Sequence, residues 1–475
     1  MKRIACMALS LAILTAAMSF ADGDISEKEL KRKKLNEKYD KLNLRQKTDW
    51  VVDTSPDFIK TPKNIKPTAE YTNARTAPTV KLMILPDLVP EYFDDGPAYM
   101  DGWSHWNHMT RADNDRFFFS ISDHKGFGCN INLYEYCLDR DVVFKVLDVD
   151  QLLGWTKHGY TDGKIHGYMG IMPDGTLWAA THFGVHPDST WFANGYRGSW
   201  LLSYNINTHE AKSWGVPLVG QNLPSFSVDT KHGRLVGTGS LNDTMLSWDC
   251  INKKVTFAGN PPNGWKWWQR SQLCDEETGI FWSIDFNDKR YPFMSFDPEI
   301  NKFRRYEVFP PANPYSGHVG SLRAVTDRPA MDGYYYWCTM SGVIFKFKPG
   351  IDGAPPVIEP VCVNWDEGRD VIQFAMDSTG RYIYYLPVGM EEDDKSPIVQ
   401  FDVKTGKIKA LCWLRDFNYE KYGYWTTNTY ATGITSDDSQ LVICFNGAFQ
   451  GRDGGRYGHP SLIIIDIPES ERPID

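Results

Sequence analysis

A tight turn runs directly into an apolar strand at Pro173-Asp174-Gly175-Thr176-Leu177-Trp178-Ala179. Aspartate and glycine suit such a turn because both tolerate the left-handed backbone conformation. The same unit returns at residues 229–236, 275–282 and 377–384. A turn followed at once by a strand is typical of antiparallel sheets, so the chain is predicted to be all-β with an internal repeat.

A second mark of the repeat is a strand that ends in an aromatic residue before another tight turn. It recurs at Tyr136, Tyr204, Trp248, Phe296, Phe347 and Phe401, and Ile465-Asp466 closes the series. One four-stranded unit cannot bury both of its faces alone, so these units predict a seven-bladed β-propeller over residues 79–475. The last unit, residues 430–467, supplies three strands. We therefore expect residues 80–85 to provide its outer strand and close the ring.

The N-terminal residues are set apart from the repeat. Residues 1–21 combine Lys2 and Arg3 with an apolar run at 4–20, which predicts a signal peptide and hence a secreted or periplasmic protein. Residues 22–78 predict a charged helix, a short N-terminal helical extension of the propeller, followed by an extended linker. No later apolar stretch is long enough to span a membrane.

Charge and cysteine usage narrow the classes of function. The formal net charge of −9 at pH 7 argues against a nucleic-acid partner, because phosphate binding needs a basic surface. A polyanionic substrate would also be repelled unless basic residues gather locally. The cysteines after Cys6 form no C-x-x-C pair, so we expect buried free thiols rather than a zinc ribbon, with disulfides as the alternative. We expect a monomer.

Long loops gather on one face of the predicted propeller. In this fold the loops between second and third strands share a face with the connections between blades, and the tight turns share the opposite face. The long, irregular segments are residues 151–164, 182–199, 310–320, 414–429 and 446–460. Loops held by a rigid scaffold commonly carry binding and catalytic residues, so we expect the site on this face.

Two histidines flank one hairpin on the loop-rich face. His166 opens the innermost strand of the second blade and His182 ends the next strand, nearly equidistant from the turn at Asp174-Gly175. Both side chains should therefore lie at the same rim of the channel, where two imidazoles can transfer protons near neutral pH. The alternative is a pair of structural histidines bonded to carbonyl groups.

Other residues on this face are candidates for contact with a sugar or an anion. Arg270 and Arg323 lie near the channel in the fourth and fifth blades, where an arginine can grip a carboxylate or sulfate with two hydrogen bonds or form a salt bridge to the next blade. Aromatic rings can stack on sugars, and histidines can bind a ligand or a metal, with ordinary packing as the alternative. The further candidates are Trp106, His108, Tyr196 and Tyr430.

The second blade resembles that of seven-bladed propeller polysaccharide lyases, most closely the ulvan lyases, in Lys164-Ile165-His166-Gly167, residues 173–182 and Leu201-Leu202-Ser203-Tyr204. The resemblance implies β-elimination at a uronic acid of an anionic polysaccharide, sulfated or not. A cation neutralises the carboxylate, a base removes the C5 proton, and an acid assists departure of the C4 oxygen. His166 and His182 would transfer the protons, and a tyrosine would share the work.

The chain differs from the family in lacking a securely placed tyrosine in the third or fourth blade. Ser225, Trp268 and Gln269 stand at comparable positions of the third and fourth blades, so Tyr196 is the substitute that we predict.

Other reaction classes find less support in the sequence. The chain has no G-x-S-x-G, Walker or Rossmann motif and no repeated acidic pair. The resembling oligogalacturonate lyases bind a metal through histidines of the late blades, and no histidine lies between His318 and His459. We therefore expect arginine rather than a cofactor to serve catalysis, with a structural metal left open. A non-catalytic carbohydrate-binding propeller and a metal enzyme using His105, His108 and His166 remain as alternatives.

Overall fold

Seven sheets follow one another around the ring, as the turn pattern predicted. The structure is a computed structural model that describes residues 50–63, 65–85, 103–126, 128–156, 159–366, 369–388, 396–449 and 457–472. The predicted signal peptide and charged helix lie outside these residues. The seven-bladed β-propeller is confirmed, and the sheets are numbered here as blades 1 to 7.

The first three blades contain four strands each, and the innermost strand of blade 2 is split in two. Blade 1 consists of Thr110–Ala112, Arg116–Ser122, Ile131–Cys137 and Val142–Asp148. Blade 2 consists of Lys164–Ile165 with Gly170–Ile171, then Thr176–His182, Leu201–Asn205 and Ala211–Ser213. Blade 3 consists of Phe226–Asp229, Arg234–Thr238, Met245–Asp249 and Lys254–Gly259.

Blades 4 and 5 also have four strands, and blades 6 and 7 have five. Blade 4 consists of Leu273–Asp275, Ile280–Ile284, Phe293–Asp297 and Lys302–Arg305. Blade 5 consists of Leu322–Val325, Tyr335–Thr339, Val343–Lys348 and Val357–Val363. Blade 6 consists of Ala375–Met376, Tyr382–Tyr385, Ile398–Asp402, Lys407–Cys412 and Tyr71–Asn73. Blade 7 consists of Trp425–Ile434, Gln440–Ala448, Ser461–Asp466, Thr79–Ile84 and Val51–Asp53.

Helices are short and lie in the connections. The α-helices are Val149–Leu153, Ser189–Ala193 and Arg415–Tyr422, and the 3-10 helices are Pro56–Ile59, Leu138–Arg140, Pro262–Gly264 and Glu469–Glu471. Every helix that the structure describes is too short or too polar to cross a membrane.

The ring closes between strands from the two ends of the chain. Thr79–Ile84 pairs antiparallel with Ser461–Asp466, so that Val80 lies opposite Ile465. This confirms the strand predicted from residues 80–85. The preceding segment contributes Val51–Asp53 to blade 7, and the predicted extended linker contributes Tyr71–Asn73, in parallel pairing, to blade 6. The N-terminal segment therefore forms the outer edge of two blades.

The hydrophobic core is divided among the junctions between neighbouring blades. At the closing junction, Phe117 and Tyr136 of blade 1 share a cluster with Val442 and Ile464 of blade 7. Corresponding clusters join blades 1 and 2, 2 and 3, 3 and 4, 4 and 5, and 5 and 6. Blades 1 to 5 thus bury both of their faces against their neighbours. The cysteines after Cys6 are free thiols, and all of them are buried except Cys137 and Cys362, which are half-buried.

We expect Met83→Ala to lower the free energy of unfolding by about 2–5 kcal/mol, because a fully buried side chain of the closing junction is removed. The matched control is Lys81→Ala on the same strand, which loses a half-exposed ion pair to Asp141 and should cost about 1 kcal/mol or less. Chemical unfolding followed by tryptophan fluorescence measures both. Equal losses for the two variants would contradict the packing of this strand into the ring.

Candidate functional site

The strand register of blade 2 places three titratable side chains on one face. Lys164 is the direct cross-strand partner of His182, whereas Ile165 is paired with Thr181 and its side chain packs in the core between blades 1 and 2. His166 follows Ile165, and its ring centroid lies 5.2 Å from that of His182. Alternation along a strand thus brings the two histidines together, both of them buried.

Hydrogen bonds of His166 assign its proton. Its Nδ1 lies 2.6 Å from the carbonyl oxygen of Pro224, which can only accept, so Nδ1 carries the hydrogen. Burial lowers the pKa of His166 well below 6.5, and the nearby Arg270 lowers it further. The neutral ring therefore presents a lone pair at Nε2. That atom lies 3.2 Å from an Nη of Arg270, which donates to it.

His182 carries its proton on the opposite nitrogen. The side-chain oxygen of Asn222 accepts hydrogen bonds from the backbone N–H and the hydroxyl of Ser240, at 2.8 and 2.5 Å. This fixes the amide orientation, so the Asn222 nitrogen donates to Nδ1 of His182 at 2.7 Å. Burial, then Lys164 and Arg270, lower the pKa of His182 well below 6.5. The neutral ring therefore carries its hydrogen at Nε2, as a donor.

The two arginines differ in how their charge is balanced. Nε of Arg323 lies 3.1 Å from a carboxylate oxygen of Asp370. This is a salt bridge to the segment that enters the next blade, the alternative role predicted from the sequence for the two arginines. Within the described part of the chain, no carboxylate oxygen lies within 4.0 Å of the Arg270 guanidinium. Burial and the charge of Arg323 lower the pKa of Arg270 to about 10, so it stays charged near neutral pH. Arg270 is thus a cation without an ion-pair partner among the described residues.

Lys164 is a third cation beside the histidines. Its Nζ lies 2.7 Å from Nε2 of His124 and 4.7 Å from the centroid of the Trp106 ring. Burial, then Arg270, lower the pKa of Lys164 to about 7. Sequence reasoning did not select this residue. Its spacing of two from His166, which places both side chains on one face of a strand, is the signal that would have found it.

Tyr430 forms the aromatic wall of the site together with Trp106. The Tyr430 ring lies 6.1 Å from His166 and 4.9 Å from Trp106, and the Arg323 guanidinium lies 5.7 Å from its centroid. The Tyr430 backbone N–H donates to Nε2 of His105 at 3.0 Å. Burial raises the pKa of Tyr430, and the two arginines oppose that rise. Tyr430 is therefore a hydroxyl-bearing side chain next to the histidine pair.

Tyr196 is engaged elsewhere. Its hydroxyl donates to a carboxylate oxygen of Asp162 at 2.6 Å, and its ring packs on Trp191 and Phe192 at 5.6 and 5.5 Å. Thr181 donates to the other oxygen of the same carboxylate. These contacts brace the long loop of blade 2. The structure thus brings Tyr430, rather than Tyr196, to the histidines.

His108 lines a cavity along the axis whose lining does not include Trp106 or Tyr430. This cavity of about 310 Å³ is lined by residues of the innermost strands, His108, Arg270 and Arg323 among them. The His108 ring lies 5.9 Å from that of Tyr168, and burial followed by the charge of Arg323 lowers its pKa to about 3. Among the described residues, no three histidine, cysteine or acidic side chains are grouped to hold a metal ion.

Comparison with known proteins identifies no family. No family model matches the chain, and no curated protein matches it. Among solved structures, a chain of "Crystal Structure of Mitotic Checkpoint Complex" is 11% identical, with 86% of this chain and 97% of that chain covered and a TM-score of 0.45. Hydrazine synthase of Kuenenia stuttgartiensis is 11% identical, with 74% of this chain and 95% of that chain covered and a TM-score of 0.43. The Cps50 (Swd1) β-propeller domain of Myceliophteria thermophila is 8% identical over 78% and 100%, with a TM-score of 0.47.

We expect Asn222→Asp to raise the pKa of His182 by about 1–3 pH units, because a carboxylate beside Nδ1 stabilises the imidazolium. In the unchanged protein the ring stays neutral as the pH falls through 6.5. Histidine-selective nuclear magnetic resonance titration measures the shift and reads the tautomer directly. The control Asn242→Asp adds the same charge at an exposed position of the adjoining loop. An unchanged His182 titration in Asn222→Asp would contradict the hydrogen bond.

Proposed function

We propose that the protein is a secreted polysaccharide lyase that cleaves a uronic-acid-containing polysaccharide by β-elimination. The observation that carries the proposal is Arg270, a cation without a carboxylate partner among the described residues, placed 3.2 Å from Nε2 of neutral His166. A carboxylate-binding cation beside an unprotonated base is the pair of groups that elimination from a uronate requires. The signal peptide predicted from residues 1–21 supports secretion.

Arg270 has the chemistry to activate the substrate. The C5 proton of a uronate is weakly acidic, because its removal adds negative charge beside an ionised carboxylate. A guanidinium that holds the carboxylate with two parallel hydrogen bonds stabilises that added charge as it develops. The carboxylate would take N–H donors of Arg270 that now face His166, and so leave the Nε2 lone pair of His166 available to the C5 proton.

The two histidines have complementary protonation for the rest of the reaction. His166 accepts the C5 proton at Nε2, the bond from C4 to its glycosidic oxygen breaks, and a C4–C5 double bond forms. The departing oxygen takes a proton from Nε2 of His182 or from the hydroxyl of Tyr430. Proton exchange with solvent then restores the starting states, so that no external reagent is consumed. A positioned general base or acid typically contributes about 10²–10⁴ in rate.

A non-catalytic carbohydrate-binding propeller is the second candidate. It is favoured by the near-complete burial of the histidine pair, each of the two residues being 3% exposed. Residues at this depth can organise a binding surface without themselves reacting with the substrate. Polysaccharide binding without formation of unsaturated ends, observed by ultraviolet absorbance, would select this candidate over the lyase.

We expect His166→Asn to lower kcat/KM on a uronic-acid polysaccharide by about 10²–10⁴, because the base is lost. Release of unsaturated ends, followed by ultraviolet absorbance, measures the rate. The control is His209→Asn in an exposed turn between the outer strands of blade 2, which should keep full activity. Full activity in a folded His166→Asn protein would overturn the assignment of the base.

Arginine rather than a metal ion is expected to neutralise the carboxylate. Arg270→Ala should therefore abolish measurable turnover, and Arg270→Lys should restore little, because an ammonium lacks the paired donors of a guanidinium. Exhaustive chelation of the unchanged protein should leave its rate intact. A rate abolished by chelator and recovered with a divalent ion, together with an active Arg270→Ala, would contradict this expectation.

A further inference from the structure

Lys164 occupies a position that the elimination step leaves without a role. It lies opposite His182 in the ladder of blade 2, whereas Arg270 contacts His166. Each histidine therefore has its own cation. Elimination at one uronate needs a single cation against a single carboxylate, so the second cation calls for a separate explanation.

The charge of Lys164 is poorly balanced by the protein. Within the residues that the structure describes, no carboxylate oxygen lies within 4.0 Å of its Nζ. Asp162, two residues earlier, directs its carboxylate oxygens to the hydroxyls of Tyr196 and Thr181. A buried ammonium without an ion-pair partner is unfavourable, and burial accordingly lowers the pKa of Lys164 to about 7. An anion from outside the protein would favour the charged form.

The surroundings of Lys164 hold its ammonium in place. The group lies over the Trp106 ring at 4.7 Å, a favourable cation–π geometry, and uses one hydrogen bond at 2.7 Å to His124. An ammonium has three N–H donors, and two of them make no hydrogen bond within the described residues. These contacts fix the position of the amino group, unlike that of a flexible surface lysine.

We infer that Lys164, held by His124 and Trp106, binds a second anionic group of the same polysaccharide chain on the His182 side of the site. The group bound by Lys164 is an oxyanion, either a sulfate ester or the carboxylate of a neighbouring uronate. The inference rests on the proposed function, because it places both anions on one glycan, and it assigns to Lys164 a role in substrate selection. A glycan that presents one anionic group to the site would therefore bind less tightly than a glycan that presents one group to Arg270 and another to Lys164.

The test measures binding by isothermal titration to the full chain, with four polymers. They are a sulfated uronic-acid polysaccharide, its chemically desulfated form, unsulfated polyglucuronate and neutral dextran. The variants are Lys164→Gln, which removes the charge, and Lys164→Arg, which keeps it. Lys266→Gln, an exposed lysine in an ion pair with Asp243, is the matched control. Unfolding midpoints identify any variant that fails to fold.

We expect Lys164→Gln to weaken binding of the sulfated polymer by about 10–100-fold, the usual worth of a charge-assisted hydrogen bond, with Lys164→Arg recovering most of it. Lys266→Gln should bind as the unchanged protein does. A loss confined to the sulfated polymer identifies the second anion as a sulfate ester. A loss of similar size with polyglucuronate identifies it as a carboxylate.

The outcomes separate this inference from the proposed function. Equal affinity of the unchanged protein and Lys164→Gln for every charged polymer overturns the inference, even when unsaturated ends are formed. Binding that depends on Lys164, with no unsaturated ends from any polymer, upholds the inference and overturns the lyase. If Lys164→Gln does not fold, Lys164→Met and the charge-keeping Lys164→Arg decide the same question by their difference in affinity.

Discussion

Pairing between Thr79–Ile84 and Ser461–Asp466 is the constraint on which the rest of the molecule depends. An open row of sheets would leave one apolar face exposed at each end, and closure buries those faces against each other. Closure also builds the site, since it brings Tyr430 of blade 7 to His105 at the entrance of blade 1, and its ring to His166 of blade 2. The position of the aromatic wall thus follows from a contact between the two ends of the chain.

Burial governs the chemistry of the site more than net charge does. The protein is acidic overall, yet Lys164 and Arg270 both lie beside the histidines without a carboxylate within 4.0 Å in the described chain. In such surroundings an imidazolium is unfavourable, so both rings are neutral and their neighbours decide which nitrogen keeps the hydrogen. Those neighbours, Pro224 and Asn222, belong to the connection entering blade 3. One connection therefore orients two rings of the previous blade in opposite senses.

The sequence by itself determined the architecture and the pairing of the histidines. Turns such as Pro173-Asp174-Gly175 and alternating strands are local signals, and the number of repeats was sufficient to predict seven blades. The last unit lacked one strand, and this deficit predicted a closing strand at residues 80–85. The proximity of His166 and His182 also followed from local information. In a tight hairpin the turn sets the register, so positions equidistant from it lie close together. The ladder shifts by two residues between Trp178 and Thr181, which makes Lys164 the direct partner of His182 and leaves His166 beside that pair.

Only the tertiary structure decided which partners surround that pair. Sequence reasoning selected Tyr196, which lies near His182 along the chain, whereas the ring beside His166 is that of Tyr430, which lies in blade 7, five blades further along the chain. It also could not distinguish Arg323, which has a carboxylate partner, from Arg270, for which the described residues provide none. These contacts join side chains of different blades. Their distances depend on how the blades pack around the axis, which no local spacing in the sequence encodes.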